Sequence, residues 1–240
     1  MSELERLVAA ARERVSQHTR HGFREALQAP GLSLIAEHKR RSPSAGVIRD
    51  DLELEQVVGA YERGGAAALS ILTEPTRFGG SLEDLRAARA ISELPILRKD
   101  FIVDRLQLAE SLVAGADAVL LIVAALSRSD LHELHALAGH LHLAALVEVH
   151  DERELETALE LGAELIGINN RDLVNLKVDP RTTFELRPRI PASITVVAES
   201  GFSRPEELAE LAQAGIDAVL IGEALMRSPD IESAVRTMCE

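Results

Sequence analysis

The feature that most constrains the fold is a unit that repeats along the 240-residue chain. Eight apolar runs rich in Ile, Leu, Val and Ala recur, with starts 21 to 36 residues apart: 32–39, 68–74, 95–100, 118–124, 144–150, 165–171, 194–200 and 218–224. The segments between them place apolar residues three and four positions apart, the spacing of amphipathic helices. The sequence therefore predicts eight strands that alternate with helices.

Four of the predicted helices show the spacing clearly, and four helix ends, not all of the same helices, carry glycine. Their apolar positions are Leu54, Val57, Val58 and Tyr61, then Leu82, Leu85 and Ala88, then Leu108, Leu112 and Val113, and then Leu155, Ala158 and Leu159. Gly65, Gly115, Gly162 and Gly215 stand just before the next strand. Glycine adopts the left-handed conformation of a helix C-cap at little steric cost, so these positions predict helix ends.

Strands joined by helices form a parallel sheet, and eight such units favour an α/β fold of the (β/α)₈ TIM barrel type. An open doubly wound sheet is the alternative, but it is expected to carry a glycine-rich turn after its first strand, where this chain has Glu37-His38-Lys39. We expect one barrel domain over residues 1–240, with residues 1–30 as a helical extension. The extension would hold a helix over 2–17 and a shorter one with Phe23 and Leu27, which together cap one end of the barrel.

Composition excludes several functions. The net charge of −13 argues against nucleic-acid or anionic-membrane partners, and the longest apolar run, 118–126, is too short to span a membrane. The N-terminus lacks the apolar region of a signal peptide, so a cytoplasmic protein is expected. The single cysteine, Cys239, argues against disulfide, thiol or cysteine-metal chemistry.

Charged residues lie at the carboxyl ends of the predicted strands, the face where such barrels carry their chemistry. Glu37 and Lys39 share one face of the first strand, so both would point inward and meet Lys99 and Glu148. Glu199 ends the seventh strand. An ion-pair network that only closes the barrel is the alternative, but desolvating several charges is costly, and acid–base catalysis is the better interpretation.

The last two strand ends predict a phosphate site. Ser200-Gly201 and Gly222-Glu223 are small enough for backbone N–H groups and a short helix N-terminus to face an anion, and Ser42 could add a hydroxyl. The alternative is that these glycines only serve tight turns.

The remaining histidines and the third lysine give weaker indications of function. His132, His135, His140 and His142 resemble a metal cluster, but the last two precede a strand and so lie at the opposite face, and zinc is disfavoured. His38 should face the helix layer as a packed residue. Only three of the 26 basic residues are lysines, and the third, Lys177, is expected in a solvated loop.

Seven segments together resemble one known family, the indole-3-glycerol-phosphate synthases of tryptophan biosynthesis. They are IAEHKRRSPSAG (35–46), ILTEPTRFGGS (71–81), PILRKDFIVD (95–104), LVEVH (146–150), IGINNRDL (166–173), VAESGF (197–202) and LIGEALM (220–226). The resemblance runs in order from about residue 22 to 230. It implies a lyase that converts 1-(2-carboxyphenylamino)-1-deoxyribulose 5-phosphate into indole-3-glycerol phosphate, with loss of CO₂ and water and without metal or organic cofactor.

The resemblance also implies residue roles. Lys99 matches the general acid, Glu148 the carboxylate of the dehydration, and Lys39 the lysine that meets the anthranilate carboxylate. The remaining matches are Glu37 and Glu199 for orienting carboxylates; Asn169 and Arg171 for the sugar hydroxyls; Ser42, Ser200, Gly201, Gly222 and Glu223 for the phosphate; and Phe78, Phe101, Leu120 and Leu220 for further substrate contacts. The partner is thus a small anionic substrate with a carboxylate and a phosphate, bound by a monomer or weak homodimer.

Three alternatives stay open at this point. A phosphoribosylanthranilate isomerase-like enzyme would share the phosphate site but needs a cysteine base in the first strand, where this chain has Glu37. A Schiff-base aldolase would also use a single barrel lysine. A non-catalytic barrel scaffold would be favoured by the loss of an acid–base residue, and none is missing here.

Overall fold

A closed barrel of eight parallel strands forms the centre of the computed structural model, which describes residues 22–239. The barrel strands are β1 (Ser33–His38), β4 (Ala68–Leu72), β5 (Ile96–Lys99), β6 (Ala118–Ile122), β7 (Ala144–Val149), β8 (Leu165–Asn169), β9 (Thr195–Glu199) and β10 (Ala218–Ile221). Each pairs with its sequence neighbour, and β10 pairs with β1, with Ser33 opposite Ala218, to close the ring. The predicted (β/α)₈ barrel is confirmed.

Helices follow the strands and surround the barrel. They are α1 (Phe23–Ala26), α2 (Leu54–Gly64), α3 (Leu82–Ile91), α4 (Arg105–Ala114), α5 (Arg128–His140), α6 (Glu152–Leu161), α7 (Arg181–Leu186), α8 (Pro205–Gln213), α9 (Glu223–Arg227) and α10 (Ile231–Cys239). Short 3₁₀ turns lie at Val123–Ala125 and Arg187–Arg189. Gly65, Gly115, Gly162 and Gly215 all have φ between 78° and 99°, as their predicted capping role requires.

Two details differ from the sequence prediction. Several of the apolar runs extend past the strands, since β4 ends at Leu72 and Thr73-Glu74 already belong to the following loop. A two-stranded hairpin of β2 (Arg41–Ser42) and β3 (Gly46–Val47), which the sequence did not predict, stands on the carboxyl end of β1. Both differences place polar residues on loops at one face of the barrel.

The core consists of two layers, as the alternation of strand side chains requires. Ile35, Ala68, Leu97, Leu146 and Val197 belong to the cluster inside the barrel, whereas the neighbouring strand positions pack under the helices. The predicted apolar face of α4 is only partly correct, since the side chain of Val113 is 75% exposed. His38 is buried on the helix side of β1, as expected, and burial together with the charge of Arg40 lowers its pKa to about 4.

The amino end of the barrel is closed by α1. Phe23 and Leu27 are buried and join the interior cluster, so the predicted capping by this short helix is confirmed. Arg24 fixes the helix, because its Nε donates to Thr195 Oγ1 at 3.2 Å and its guanidinium pairs with Glu164 at 2.6 Å. The predicted helix over 2–17 lies outside the described residues.

The four histidines considered as zinc ligands lie on α5 and on the turn that follows it, before β7. Within residues 22–239, no three His, Cys, Asp or Glu side chains are grouped as metal ligands. None of the helices in the same range has the length and apolarity needed to cross a membrane.

Candidate active site

A cavity of about 890 Å³ opens at the carboxyl end of the barrel. Every residue that the sequence predicted for the site lines it: Glu37, Lys39, Ser42, Phe78, Lys99, Phe101, Leu120, Glu148, Asn169, Arg171, Glu199, Ser200, Gly201, Leu220, Gly222 and Glu223. Lys177 does not, and its side chain is exposed. The carboxyl ends of the strands thus bring all of the candidate residues together around one cavity.

Lys99 is the centre of the charged floor of this cavity. It is the last residue of β5, and its Nζ lies 3.0 Å from Glu148 Oε2 and 2.9 Å from Glu199 Oε2. The Glu148 and Glu199 side chains are 1% and 2% exposed, against 14% for Lys99. Both carboxylates are therefore removed from bulk water, and the ammonium between them reaches the cavity.

A second lysine–glutamate pair lies beside the first. Lys39 Nζ is 2.6 Å from Glu37 Oε1, and Ser70 Oγ donates to Glu37 Oε2 at 3.3 Å. Two glycines make room for the carboxylates, since a Cβ at Gly222 would lie 2.7 Å from Glu37 Oε1 and one at Gly167 would lie 2.3 Å from Glu199 Oε1. Gly222, predicted for the phosphate, therefore also leaves space for the Glu37 carboxylate.

The surroundings of Glu148, Glu199 and Lys99 shift the pKa values of these side chains in different directions. Burial raises the pKa of Glu148, but the charges of Lys99 and His150 outweigh it, and the pKa lies well below the usual range. Burial also raises the pKa of Glu199, and so do the negative charges of Glu148 and Glu37. Together they outweigh the lowering by the Lys99 charge and bring the pKa to about 7. Burial lowers the pKa of Lys99, but the three glutamates raise it far above its ordinary value. The floor thus holds a charged ammonium, a charged carboxylate and a carboxyl group that titrates near neutrality.

The apolar walls are held by polar contacts in the loops that carry them. Glu74 accepts hydrogen bonds from the backbone N–H groups of Thr76, Arg77 and Phe78, at 2.6 to 3.1 Å, and so fixes the loop that presents Phe78. Asp100 accepts from the Phe101 N–H at 2.9 Å and is itself bound by Arg98 at 2.9 Å. The Phe101 side chain is 42% exposed, which leaves an aromatic face at the rim of the cavity.

The opposite side of the cavity has a backbone suited to an anion. Ser200 and Gly201 have φ values of 64° and 94°, and Ser200 is held there because Asn170 Nδ2 donates to its carbonyl at 2.9 Å. Left-handed backbone at a non-glycine residue is strained and is common at ligand sites. Across from it, Glu223 begins α9, where the first N–H groups have no partner within the helix.

Comparison with known proteins identifies the family. The family model described as indole-3-glycerol phosphate synthase matches residues 2–238. A protein of that name from Nocardioides sp. (strain ATCC BAA-499 / JS614) is 53% identical over 211 residues, which cover 88% of this chain and 81% of the relative. The chain belongs to the indole-3-glycerol phosphate synthase family. A second member, from Chlorobium phaeovibrioides (strain DSM 265 / 1930), is 50% identical over 214 residues, or 88% of this chain and 83% of the relative.

Membership assigns the reaction. The family belongs to tryptophan biosynthesis, and its activity is the closure of an indole ring on a phosphate-bearing small molecule with loss of CO₂ and water, a carboxy-lyase reaction. The isomerase, Schiff-base aldolase and scaffold alternatives are thereby set aside. Thiamine phosphate pyrophosphorylase from Pyrococcus furiosus, at 18% identity and a TM-score of 0.65 over 87% of this chain and 94% of that one, shares the fold alone.

Two residues around the indole-3-glycerol phosphate synthase site were not predicted from the sequence. His150 lies 3.3 Å from Glu148 through its Nε2, and Asn170 ties the end of β9 to α7 by donating to Ser200 and accepting from Thr183. A signal for His150 was present, since it stands two residues after Glu148 and so shares its side of the chain. The role of Asn170 depends on contacts far along the chain, which spacing does not reveal.

Proposed function

We propose that Lys99 is the general acid of the ring closure and that Glu148 and Glu199 control its proton. The observation that supports this is the position of the Lys99 ammonium, about 3 Å from both carboxylates on the floor of the cavity. As the ring carbon attacks the ketone, the carbonyl electrons move onto oxygen, and an acid must supply a proton there. Lys99 is fully protonated in the free site, and the developing alkoxide would compete with the two carboxylates for that proton.

Lys39 is proposed to bind the carboxylate of the anthranilate ring. Its only ion pair within residues 22–239 is with Glu37, and its side chain is more exposed to the cavity than that of its partner, at 17% against 5%. An ammonium so placed can neutralise the carboxylate until the C–C bond to it breaks and CO₂ leaves, with its electron pair restoring the aromatic ring.

Glu148 is proposed to act in the dehydration. In this step the C–OH bond breaks with a proton delivered to the oxygen, and the C–H bond beside the ring nitrogen gives up its proton to a base. The low pKa of Glu148 keeps it ionised and able to accept that proton. Glu37 and Glu199 are proposed to orient the lysines and the substrate amine, and Asn169 and Arg171 the sugar hydroxyls.

The phosphate is proposed to bind at the opposite side of the cavity. It would be surrounded by the hydroxyls of Ser42 and Ser200 and by the backbone N–H groups of Gly201, Gly222 and Glu223. The aromatic ring of the substrate and its linker would be enclosed by Phe78, Phe101, Leu120 and Leu220. Backbone dipoles explain how a chain of net charge −13 can hold an anion without a cluster of lysines.

Two products, measured separately, test these roles. With 1-(2-carboxyphenylamino)-1-deoxyribulose 5-phosphate as substrate, CO₂ release reports ring closure and indole fluorescence reports dehydration. We expect Lys99→Ala to slow both, and Glu148→Gln to slow indole formation more than CO₂ release. Lys177→Ala is the matched control and should retain both rates. Equal slowing of both products by Glu148→Gln would contradict its assignment to the second step.

Because all of the proposed residues come from one chain, we also propose that a single chain is catalytically complete, as a monomer or weak homodimer. Sedimentation at the concentration of the assay would test this. The cytoplasmic location and the single-domain organisation of residues 1–240 stay predictions.

A further inference from the structure

Two glutamates contact the same ammonium, yet they differ in their other neighbours. Glu148 Oε2 and Glu199 Oε2 lie within about 6 Å of each other, since both are about 3 Å from Lys99 Nζ. Like charges this close, in a site shielded from water, raise the proton affinity of one member of the pair. Lys99 alone gives no reason for the proton to prefer either carboxylate.

His150 supplies that reason. It follows β7 directly, and its Nε2 lies 3.3 Å from Glu148 Oε1, the oxygen that Lys99 does not contact. Neither Glu148 Oε1 nor Glu199 Oε1 accepts a hydrogen bond, and both are buried. Glu148 nevertheless has the His150 ring at ion-pair distance, whereas Glu199 has no ion pair besides Lys99 within residues 22–239, and its Oε1 lies beside Gly167. A buried charged carboxylate is costly without a compensating charge, and a neutral carboxyl group is much less so.

Glu154 on α6 holds His150 in place. Glu154 Oε2 lies 2.9 Å from His150 Nδ1 and also accepts the backbone N–H of His150 at 2.8 Å. Nδ1 is hydrogen-bonded to one carboxylate and Nε2 lies at ion-pair distance from another, and the doubly protonated imidazolium is the form that both carboxylates favour. In agreement with this geometry, burial lowers the pKa of His150, but hydrogen bonds to Glu148 and Glu154 outweigh burial and bring the pKa to about 10.

We infer that His150, anchored by Glu154, is a positioning residue that directs the shared proton of the carboxylate pair to Glu199 and so keeps Glu148 charged. The inference rests on the proposed role of Glu148 in proton transfer and deepens it. His150 is not among the residues that line the cavity. It acts through Glu148, from the side of that carboxylate away from Lys99.

The charged and titratable groups around the pair are few. His150 faces Glu148 and Glu154, and its charge also lowers the pKa of Asp172 in the loop after β8. Apart from His150, Glu148 is influenced by Lys99 and by a hydrogen bond with Asn169, and Glu199 by Lys99, Glu148 and Glu37. His150 is thus the cation that belongs to one carboxylate and not to the other.

Carbon-13 NMR of enzyme labelled at the glutamate carboxyl carbons tests the inference without relying on turnover. In the wild-type enzyme we expect a resonance titrating near pH 7 that is lost in Glu199→Gln, while the resonance lost in Glu148→Gln does not move between pH 5 and 9. In His150→Asn the proton should spread over both carboxylates, so both resonances should shift together. His150→Gln provides a second neutral replacement in case the first does not fold.

Glu156→Gln is the matched control, because it removes an exposed carboxylate from α6 and leaves His150 untouched. It should reproduce the wild-type titration. A His150→Asn spectrum in which only the Glu199 resonance titrates would overturn the inference.

The pH profile gives a second readout. Equal sharing of one proton leaves half of the molecules with neutral Glu148 below the titration. The ratio of kcat/KM at pH 6 to that at pH 8.5 should therefore be about twofold lower in His150→Asn than in the wild type. A uniform loss at all pH values would contradict a charge effect and indicate a packing role. If Glu148→Gln keeps full turnover, the proposed function fails; if it does not but the titrations are unchanged in His150→Asn, only the present inference fails.

Discussion

At the scale of single residues, lysine is scarce in this chain and concentrated at the cavity. Of 26 basic residues three are lysines, and two of these, Lys39 and Lys99, line the cavity. Arginine supplies the structural pairs instead: Arg98, which is 3% exposed, binds Asp100 beside the catalytic floor. An ammonium can release a proton under the influence of its neighbours, whereas a guanidinium cannot.

Replacement of Lys99 should therefore lower catalytic activity strongly, even when the new side chain keeps the positive charge. We expect Lys99→Ala to lower kcat by about 10²–10⁴-fold, the usual contribution of a positioned general acid. Lys99→Arg should recover little of this, because the pKa of arginine stays above about 12. Steady-state kinetics on both variants measure the effect, and wild-type turnover by Lys99→Arg would contradict proton donation at this position.

Glu199 should make stability depend on pH. Its pKa is about 7 in the folded chain against 4.5 for the ordinary side chain, so the folded state binds the proton more tightly. Stability from this group is present below about pH 4.5 and is lost as the pH rises through 7. The free energy of unfolding of wild type minus that of Glu199→Gln should fall from pH 5 to pH 8 in urea titrations. A difference that is constant or rises with pH would contradict the raised pKa.

At the scale of elements, the repeated strand–helix unit places different residues at the two ends of the barrel. Residues at the carboxyl ends of the strands line the cavity, while residues just before the strands form hydrogen bonds at the opposite end. Asp117 and Asp217 each follow a helix-capping glycine by two positions and accept a backbone N–H at the start of the neighbouring strand, from Ile96 at 2.9 Å and Val196 at 2.8 Å. The same repeat unit thus serves stability at one end and catalysis at the other.

Removing one of these aspartates should cost stability and spare activity. Asp217→Ala leaves the buried N–H of Val196 without an acceptor, which costs about 1–3 kcal/mol. Asp217→Asn retains an acceptor oxygen and should cost less. Chemical denaturation gives the stability, and kcat measured well below the melting temperature should match wild type. A loss of kcat by Asp217→Ala would show that the two ends of the barrel are not independent.

Replacing Gly222 should instead reduce activity and change stability little. A Cβ there would lie 2.7 Å from Glu37 Oε1 and 3.1 Å from Glu37 Cβ, so Gly222→Ala must displace the partner of Lys39. We expect a clear loss of kcat/KM with a small change in melting temperature. Gly139→Ala is the control, since nothing lies near its new methyl group, and it should gain about 0.5–1 kcal/mol of stability as an alanine within α5. Equal activity of both variants would contradict the packing argument.

At the scale of the whole molecule, the sequence is sufficient for the barrel and for most of the site. Parallel strands buried on both faces must be near-continuously apolar, so all eight can be found from the sequence, and the barrel then brings their carboxyl ends together. The sequence could not show the β2–β3 hairpin, whose strands have two residues each, or the exposure of Val113, which depends on how α4 packs. Nor could it show Asn170 bracing Ser200, because that contact spans 30 positions.

The assignment of charge states also exceeds what a sequence reveals. Spacing placed Glu37, Lys39, Lys99 and Glu148 in one mouth, but the difference between Glu148 and Glu199 arises from His150 on one side and Gly167 on the other. By our inference, a cationic side chain beside Glu148, and none of that kind beside Glu199, determines which carboxylate is charged. Such differences appear only when the strands are set in register.

The most direct measurement of the central claim is the formation of indole-3-glycerol phosphate from 1-(2-carboxyphenylamino)-1-deoxyribulose 5-phosphate, followed by indole fluorescence between about pH 6 and 9. The account predicts turnover by the wild-type chain without added cofactor and a fall of about 10²–10⁴-fold in Lys99→Ala. Absence of product at every pH, or undiminished turnover by Lys99→Ala, would contradict it.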